Sequence, residues 1–279
     1  MILNLLLLSF SGLLSGLSQV VNKKLAGKGF GSASYTSAIM LLNALLSIPL
    51  LFFRFYVSHS LYYWLLILIS TTAFAFSTYF SFKAYKTADV SEVSIIYRLN
   101  IVFVALLGIV LLKEQYSFNA YIGLALIFLS SLIITFNKKL KLSAGTVYAL
   151  LMAITGTIAT VLDKIILNDF SPLSYVFVNN LLVGLVFIPN KNTARSTLEL
   201  VKNHPLPLFI TSLFSTLSFA IVLFVLQKSN VSQTMPAYKG LAFITPVIIG
   251  IFVLKEKAKL KQKIAGTILG IIGITLLYL

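Results

Sequence analysis

The stretch "IVFVALLGIVLL" (101–112) runs without a single polar side chain. Apolar stretches of this order recur ten times along the chain, near 2–22, 33–53, 61–82, 91–112, 117–136, 143–163, 171–189, 206–226, 231–254 and 261–279. Each approaches the length needed to cross a hydrocarbon core of about 30 Å. In lipid every backbone N–H and C=O must be satisfied within its own segment, and strand-like alternation is absent, so the stretches are read as helices. The expected fold class is an all-α membrane protein of ten transmembrane helices.

Composition agrees and narrows the function. Hydrophobic residues make up 58% of the chain and charged ones 10%, with mean hydropathy +0.98, outside the range of soluble domains. There is no cysteine, hence no thiolate nucleophile or thiolate metal site. The two histidines, His59 and His204, sit at the ends of apolar runs without acidic neighbours at ligand spacing. No Ser/His/Asp arrangement, phosphate-binding loop or metal-ligand cluster is visible, so neither an enzyme nor an ATP-driven pump is expected, and no cofactor. The first twenty residues lack the basic start and small-residue cleavage site of a secretory signal and read as the first span. A net charge of +15 would point to nucleic acid in a soluble protein; here basic loops that fix orientation in a bilayer are the better reading, and no nucleic-acid partner is expected.

The chain resembles itself when shifted by half its length. "QVVNKKL" (19–25) matches "TVLDKII" (160–166), and "YKTADVSEVSIIYR" (85–98) matches "QKSNVSQTMPAYK" (227–239) with one gap. "IVLLKE" (109–114) matches "IFVLKE" (251–256), and "AYIGLALIFLSSLIITF" (120–136) matches "KIAGTILGIIGITLLYL" (263–279). Two five-helix repeats, 1–137 and 138–279, follow. An odd number of spans inverts the second repeat in the membrane. Loop charges agree: Lys23, Lys24 and Lys28 follow the first span, whereas the counterpart loop pairs Lys164 with Asp163 and Asp169. Arg54 alone stands against Lys191, Arg195 and Lys202, and Lys113 against the run of lysines from Lys255 to Lys263. The positive-inside rule then puts the odd-numbered loops in the cytoplasm and both termini outside.

Two cations interrupt matching spans, Arg98 in "SIIYRLN" and Lys239 in "MPAYKGL". Each lies about seven residues into its helix, roughly 10 Å deep at about 1.5 Å per residue. A cation near a helix centre costs about 2.5–3.5 kcal/mol on insertion scales, so both should line an internal polar cavity. Two explanations stand. Internal acids, Asp163 or Glu92, neutralise the cations and lock helices together; or the cations await an anionic substrate, with Tyr97 and Tyr238 offering hydroxyls and ring faces. Asp163 and Glu92 are also the candidates for carrying a coupling proton. Asn179 and Asn180 in "FVNNLL" either hydrogen-bond between helices or present paired donors and acceptors to a substrate. The third span is rich in aromatic residues, with Tyr79 a candidate for the cavity wall, while Pro236 and Pro246 predict a kink near Lys239. Gly266, Gly270 and Gly273 form a stripe suited to close packing inside the molecule.

Ten helices in two inverted repeats, each bearing "LKE" before a glycine-containing last helix, resemble the drug/metabolite transporter superfamily and its EamA-like ten-span branch. "NKK" (22–24), "DKI" (163–165) and "ITP" (244–246) are similar to recurrent features of that family. "FVNN" (177–180) resembles the "FYNN" motif of nucleotide-sugar transporters, with Val178 in place of the tyrosine, and "PAYKG" (236–240) falls where their "GALNK" motif ends in lysine. The cation pair resembles the phosphate-binding pair of sugar-phosphate translocators. The resemblance implies that Asn179 and Asn180 contact a nucleobase and Lys239 a sugar or diphosphate.

The expected protein is a secondary transporter with a central cavity, working by alternating access and driven by gradients, through exchange, uniport or proton symport. Its substrate is a small organic anion, a carboxylate or a phosphorylated or nucleotide-linked metabolite, held by Arg98, Lys239, Tyr97, Tyr238, Asn179, Asn180 and Tyr79. Transport of neutral or aromatic amino acids is the alternative, and a membrane scaffold or receptor a further one. The expected partners are the small molecule and the lipid bilayer, as a monomer or homodimer, in a prokaryotic inner membrane.

Overall fold

The computed structural model describes residues 2–53, 55–135 and 143–277. Among them every regular element is a helix: α1 (Ile2–Ala26), α2 (Ser32–Leu51), α3 (Leu61–Thr87), α4 (Val90–Tyr97), α5 (Leu99–Leu112), α6 (Phe118–Thr135), α7 (Ala144–Ile166), α8 (Pro172–Leu185), α9 (Lys191–Asn203), α10 (Pro205–Lys228), α11 (Val231–Phe252) and α12 (Leu260–Leu276). Among the described residues, each of the ten apolar stretches is helical over most of its length. Among the described residues seven helical segments, with α4 and α5 taken together, are long and apolar enough to cross a membrane; α6 and α8 are shorter apolar helices, and α12 has 17 residues. The fourth stretch is not one helix, because at Arg98 the hydrogen bonding tightens to Ile101 N–H on Arg98 C=O (2.8 Å), which divides α4 from α5. The polar loop 190–205 forms α9, started by Asn190 Oδ1, which accepts from Asn192 and Thr193 N–H.

The repeated "LKE" acquires a physical meaning. Lys113 and Lys255 both adopt the left-handed conformation (φ 55°) that turns the chain out of α5 and α11. The glutamate that follows reaches across to the other half of the molecule. Glu114 accepts from Val231 and Ser232 N–H (2.8 and 3.0 Å) at the start of α11, and Glu256 accepts from Val90 and Ser91 N–H (2.9 and 3.1 Å) at the start of α4. A carboxylate there satisfies orphan amides and meets the positive end of the helix dipole. The end of each counterpart helix thus meets the start of the other, so α4–α5 and α11 run antiparallel. The lysines of "NKK" and "DKI" complete the pattern. Lys23 donates to Tyr85 and Ala88 C=O (2.6 and 2.5 Å) at the end of α3, and Lys164 to Leu226 and Ser229 C=O (both 2.9 Å) at the end of α10.

Neighbours follow the same exchange. α1 packs on α10 and α11 while α7 packs on α3 and α4–α5; α2 packs on α8, and α6 on α12. The last pair touches backbone to backbone, since a Cβ on Gly123 would lie 2.5 Å from Gly273 O. The stripe on α12 is therefore used inside the molecule. Facing outward, Leu6, Leu68, Val110, Phe118 and Ile268 stay exposed, as lipid-facing residues do.

Candidate functional site

A cavity of about 180 Å³ lies between the two halves, walled by α1, α2, α3, α4, α7, α8, α10 and α11. α6 and α12 contribute nothing to it, being set aside as a peripheral pair. Its apolar walls carry Met40, Met152 and Met235 and the stacked rings of Phe74 and Phe219 (centroids 5.8 Å apart). Its polar walls carry Ser15, Gln19, Asn43, Ser77 and Thr160, and two charged side chains, Lys239 and Asp163. An apolar cavity of roughly 150 Å³ takes one benzene ring, which sets the scale of a solute here.

Lys239 is 6% exposed. Its Nζ donates to Tyr97 Oη (3.2 Å) and to Asn100 Oδ1, and lies over the Tyr97 ring at 4.6 Å from the centroid. Asn100 is itself fixed by donating to Ala153 C=O and Thr157 Oγ1, both 3.0 Å away on α7. The break between α4 and α5 puts Tyr97 and Asn100 on the side facing α7 and α11. No carboxylate lies within ion-pair distance of Lys239 among the described residues, so its charge is met only by neutral oxygens and a ring face.

Arg98 goes elsewhere. Its guanidinium points away from the cavity toward α12, where Nη1 and Nη2 both donate to Gly266 C=O at 3.3 Å, and its plane covers the Phe243 ring at 3.7 Å. It fits only because α12 has a glycine at 270: a Cβ there would stand 1.3 Å from Nη1. Lys239 lines the main cavity and Arg98 does not; the two cations meet only at a small adjoining recess of about 20 Å³, because consecutive residues on a helix point about 100° apart and Tyr97 takes the inward direction. Of the acids, Glu92 pairs with Lys259 (3.0 Å) at the helix end, and among the described residues no acid lies at ion-pair distance from Arg98. Asp163 lines the cavity, and its Oδ1 accepts from Ser70 Oγ (2.8 Å) and Tyr175 Oη (2.5 Å).

Tyr238 lines the cavity and donates to Ser15 Oγ (3.0 Å). Asn180 does too, while Asn179 is buried behind it; Asn180 Nδ2 and Asn179 Oδ1 have no hydrogen-bond partner among the described residues. Tyr79 is not a wall residue. It packs on Phe76, Phe80 and Phe187, with Lys83 Nζ 4.8 Å from its ring, because α3 turns a different face to α7. Pro236 and Pro246 are accommodated within a single helix, α11. Sequence reading passed over Asn100, Ser70 and Tyr175. Asn100 carried a signal, a second polar residue two places after Arg98, whereas Ser70 and Tyr175 look ordinary in their helices.

Residues 2–136 and 143–279 each match the EamA-like transporter family. A solved structure described only as the crystal structure of a protein superposes with a TM-score of 0.62 at 13% identity, covering 96% of this chain and 98% of that one, which establishes the shared fold. Comparison with curated proteins gave no match. Two family matches spanning nearly the whole chain, laid on two helical halves that enclose a cavity, make this an integral membrane transporter of small molecules and not an enzyme: the chain belongs to the EamA-like transporter family.

Proposed function

We propose that the protein is a secondary transporter whose central cavity binds a small organic anion through Lys239. The observation that carries this reading is a lysine 6% exposed, in a cavity wall, with no acid at ion-pair distance among the described residues. Burying an ammonium costs several kcal/mol unless a counter-charge repays it, roughly, and an incoming carboxylate or phosphate is that counter-charge. Tyr97, Tyr238 and Asn180 orient the solute, and Phe74 and Phe219 receive its apolar part. The cavity volume favours a solute near one ring in size over a nucleotide-linked one. Ten spans in two inverted repeats, with the loops rich in lysine on the cytoplasmic side, form the frame for alternating access. Arg98 holds α4, α11 and α12 together.

A second reading is favoured by one observation: Asp163 lines the same cavity as Lys239. A zwitterionic amino acid would place its carboxylate on Lys239 and its ammonium toward Asp163. Thermal unfolding of the purified protein with small monocarboxylates, monophosphates, phenylpyruvate and phenylalanine tests both, since a ligand selective for the folded state raises the midpoint. Anions should stabilise the wild type and Tyr79→Phe but not Lys239→Gln. Stabilisation by phenylalanine alone would transfer the site to the amino-acid reading, and an unchanged response in Lys239→Gln would remove Lys239 from it.

A further inference from the structure

We infer that Asp163 takes up one proton when an anion settles on Lys239, so that solute and proton bind together. The inference rests on the anion reading of the cavity. The hydroxyls of Ser70 and Tyr175 both donate to Asp163 Oδ1, while the residue itself lines the cavity and has no cation at ion-pair distance among the described residues. Two hydroxyls fix its orientation without neutralising it. The titratable groups around it are few. Lys239 and Tyr238 on α11, Tyr97 on α4 and Tyr85 on α3 share the cavity, and Tyr175 on α8 bonds it directly. The α10 side chains that line the cavity carry no titratable group. Lys164, next along α7, turns to the carbonyls at the end of α10, with Glu114 beyond it.

Lys239 is thus the one cation among the described residues in the wall of this cavity, and its field, together with the hydroxyls of Ser70 and Tyr175, favours the carboxylate form of Asp163 while the cavity is empty. An anion on Lys239 cancels that field and adds its own negative charge. Asp163 then draws a proton from the water that reaches the cavity, forming an O–H bond on the carboxyl and leaving the loaded site with the charge it had when empty. Thermodynamic linkage makes the effect reciprocal: a proton on Asp163 must tighten the anion by the factor by which the anion tightens the proton. Glu92, the other acid on offer for coupling, is paired with Lys259 and lies outside the cavity wall.

Calorimetric titration with lactate, benzoate and phenylpyruvate, in buffers of different ionisation enthalpy, measures the proton directly. These carboxylates stay ionised near neutral pH, so any proton belongs to the protein. The expected result is uptake of about one proton per anion and affinity rising up to about tenfold per pH unit as pH falls, both lost in Asp163→Asn, which still binds. Binding without proton uptake, or uptake that survives in Asp163→Asn, overturns the inference while leaving the anion reading intact. Failure of every anion to bind the wild type refutes the anion reading and this inference with it. An independent arm needs no solute: infrared difference spectra across a pH step should contain a carboxyl band that is missing in Asp163→Asn. Its persistence in the variant would give the proton to another acid.

Discussion

Gly270→Ala places a methyl group where Arg98 now lies. The new Cβ would be 1.3 Å from Nη1 and 2.5 Å from Cζ, far inside contact distance, with a guanidinium that is 1% exposed and enclosed by α11 and α12. Arg98 must therefore leave the Gly266 carbonyl and the Phe243 ring. Its two bonds share one acceptor at 3.3 Å, so they are counted as a single charge-assisted bond of about 1.5 kcal/mol. A desolvated cation–π contact adds about 2 kcal/mol, which puts the loss near 3–4 kcal/mol. Unfolding in mixed micelles of mild detergent and dodecyl sulfate reads this as a shift in midpoint. The decisive comparison is the cycle with Arg98→Ala: once the guanidinium is gone, the alanine at 270 meets no remaining atom nearer than 3.3 Å, and its cost should fall below about 1 kcal/mol. Additive effects across the cycle, or a Gly270→Ala protein that unfolds with the wild type, would refute the placement of Arg98 against α12.

Glu256→Gln should destabilise the protein by about 1–2 kcal/mol and Glu114→Gln by about 1 kcal/mol in the same assay, because each loses a charged cap and Glu256 also faces Lys263 at 3.6 Å. Equal behaviour of either variant and the wild type would count against the caps. Gly123→Ala brings a Cβ within 2.5 Å of Gly273 O and should cost about 1–3 kcal/mol by forcing α6 and α12 apart, again read from the unfolding midpoint. Asn180→Ala removes a cavity amide whose Nδ2 has no partner among the described residues, so stability should move little while the midpoint shift caused by a bound anion falls. A large loss of stability without ligand would mark Asn180 as structural.

Much of the frame was legible because it is written twice. "IVLLKE" and "IFVLKE" match because one turn and one cap are built at both places, and "NKK" and "DKI" match because each lysine closes a helix end. The position of Lys239 in the cavity wall agrees with its reading as an internal cation. Arg98 was harder. The same insertion cost applies to any cation buried among helices, whether it faces a cavity or a neighbour's carbonyl, and the choice was made by the missing side chain at Gly270 on a distant helix. Tyr79 lies outside the cavity lining for a related reason: aromatic composition marks a helix as packed but does not say which face meets the cavity. α9 was hidden because a search for apolar runs discards a polar helix that buries only Thr197 and Leu200.

The crossed caps set an order on the making of the chain. α11 finds its carboxylate waiting, because Glu114 is synthesised 117 residues before Val231. α4 does not, because Glu256 follows Val90 by 166 residues. The ribosome therefore delivers the first half with two amide protons of α4 unanswered, and that cap is completed only when the last loop arrives. A chain interrupted just short of Glu256 carries nearly every apolar helix and yet leaves α4 open, a defect at the front of the protein caused by a loss near its end.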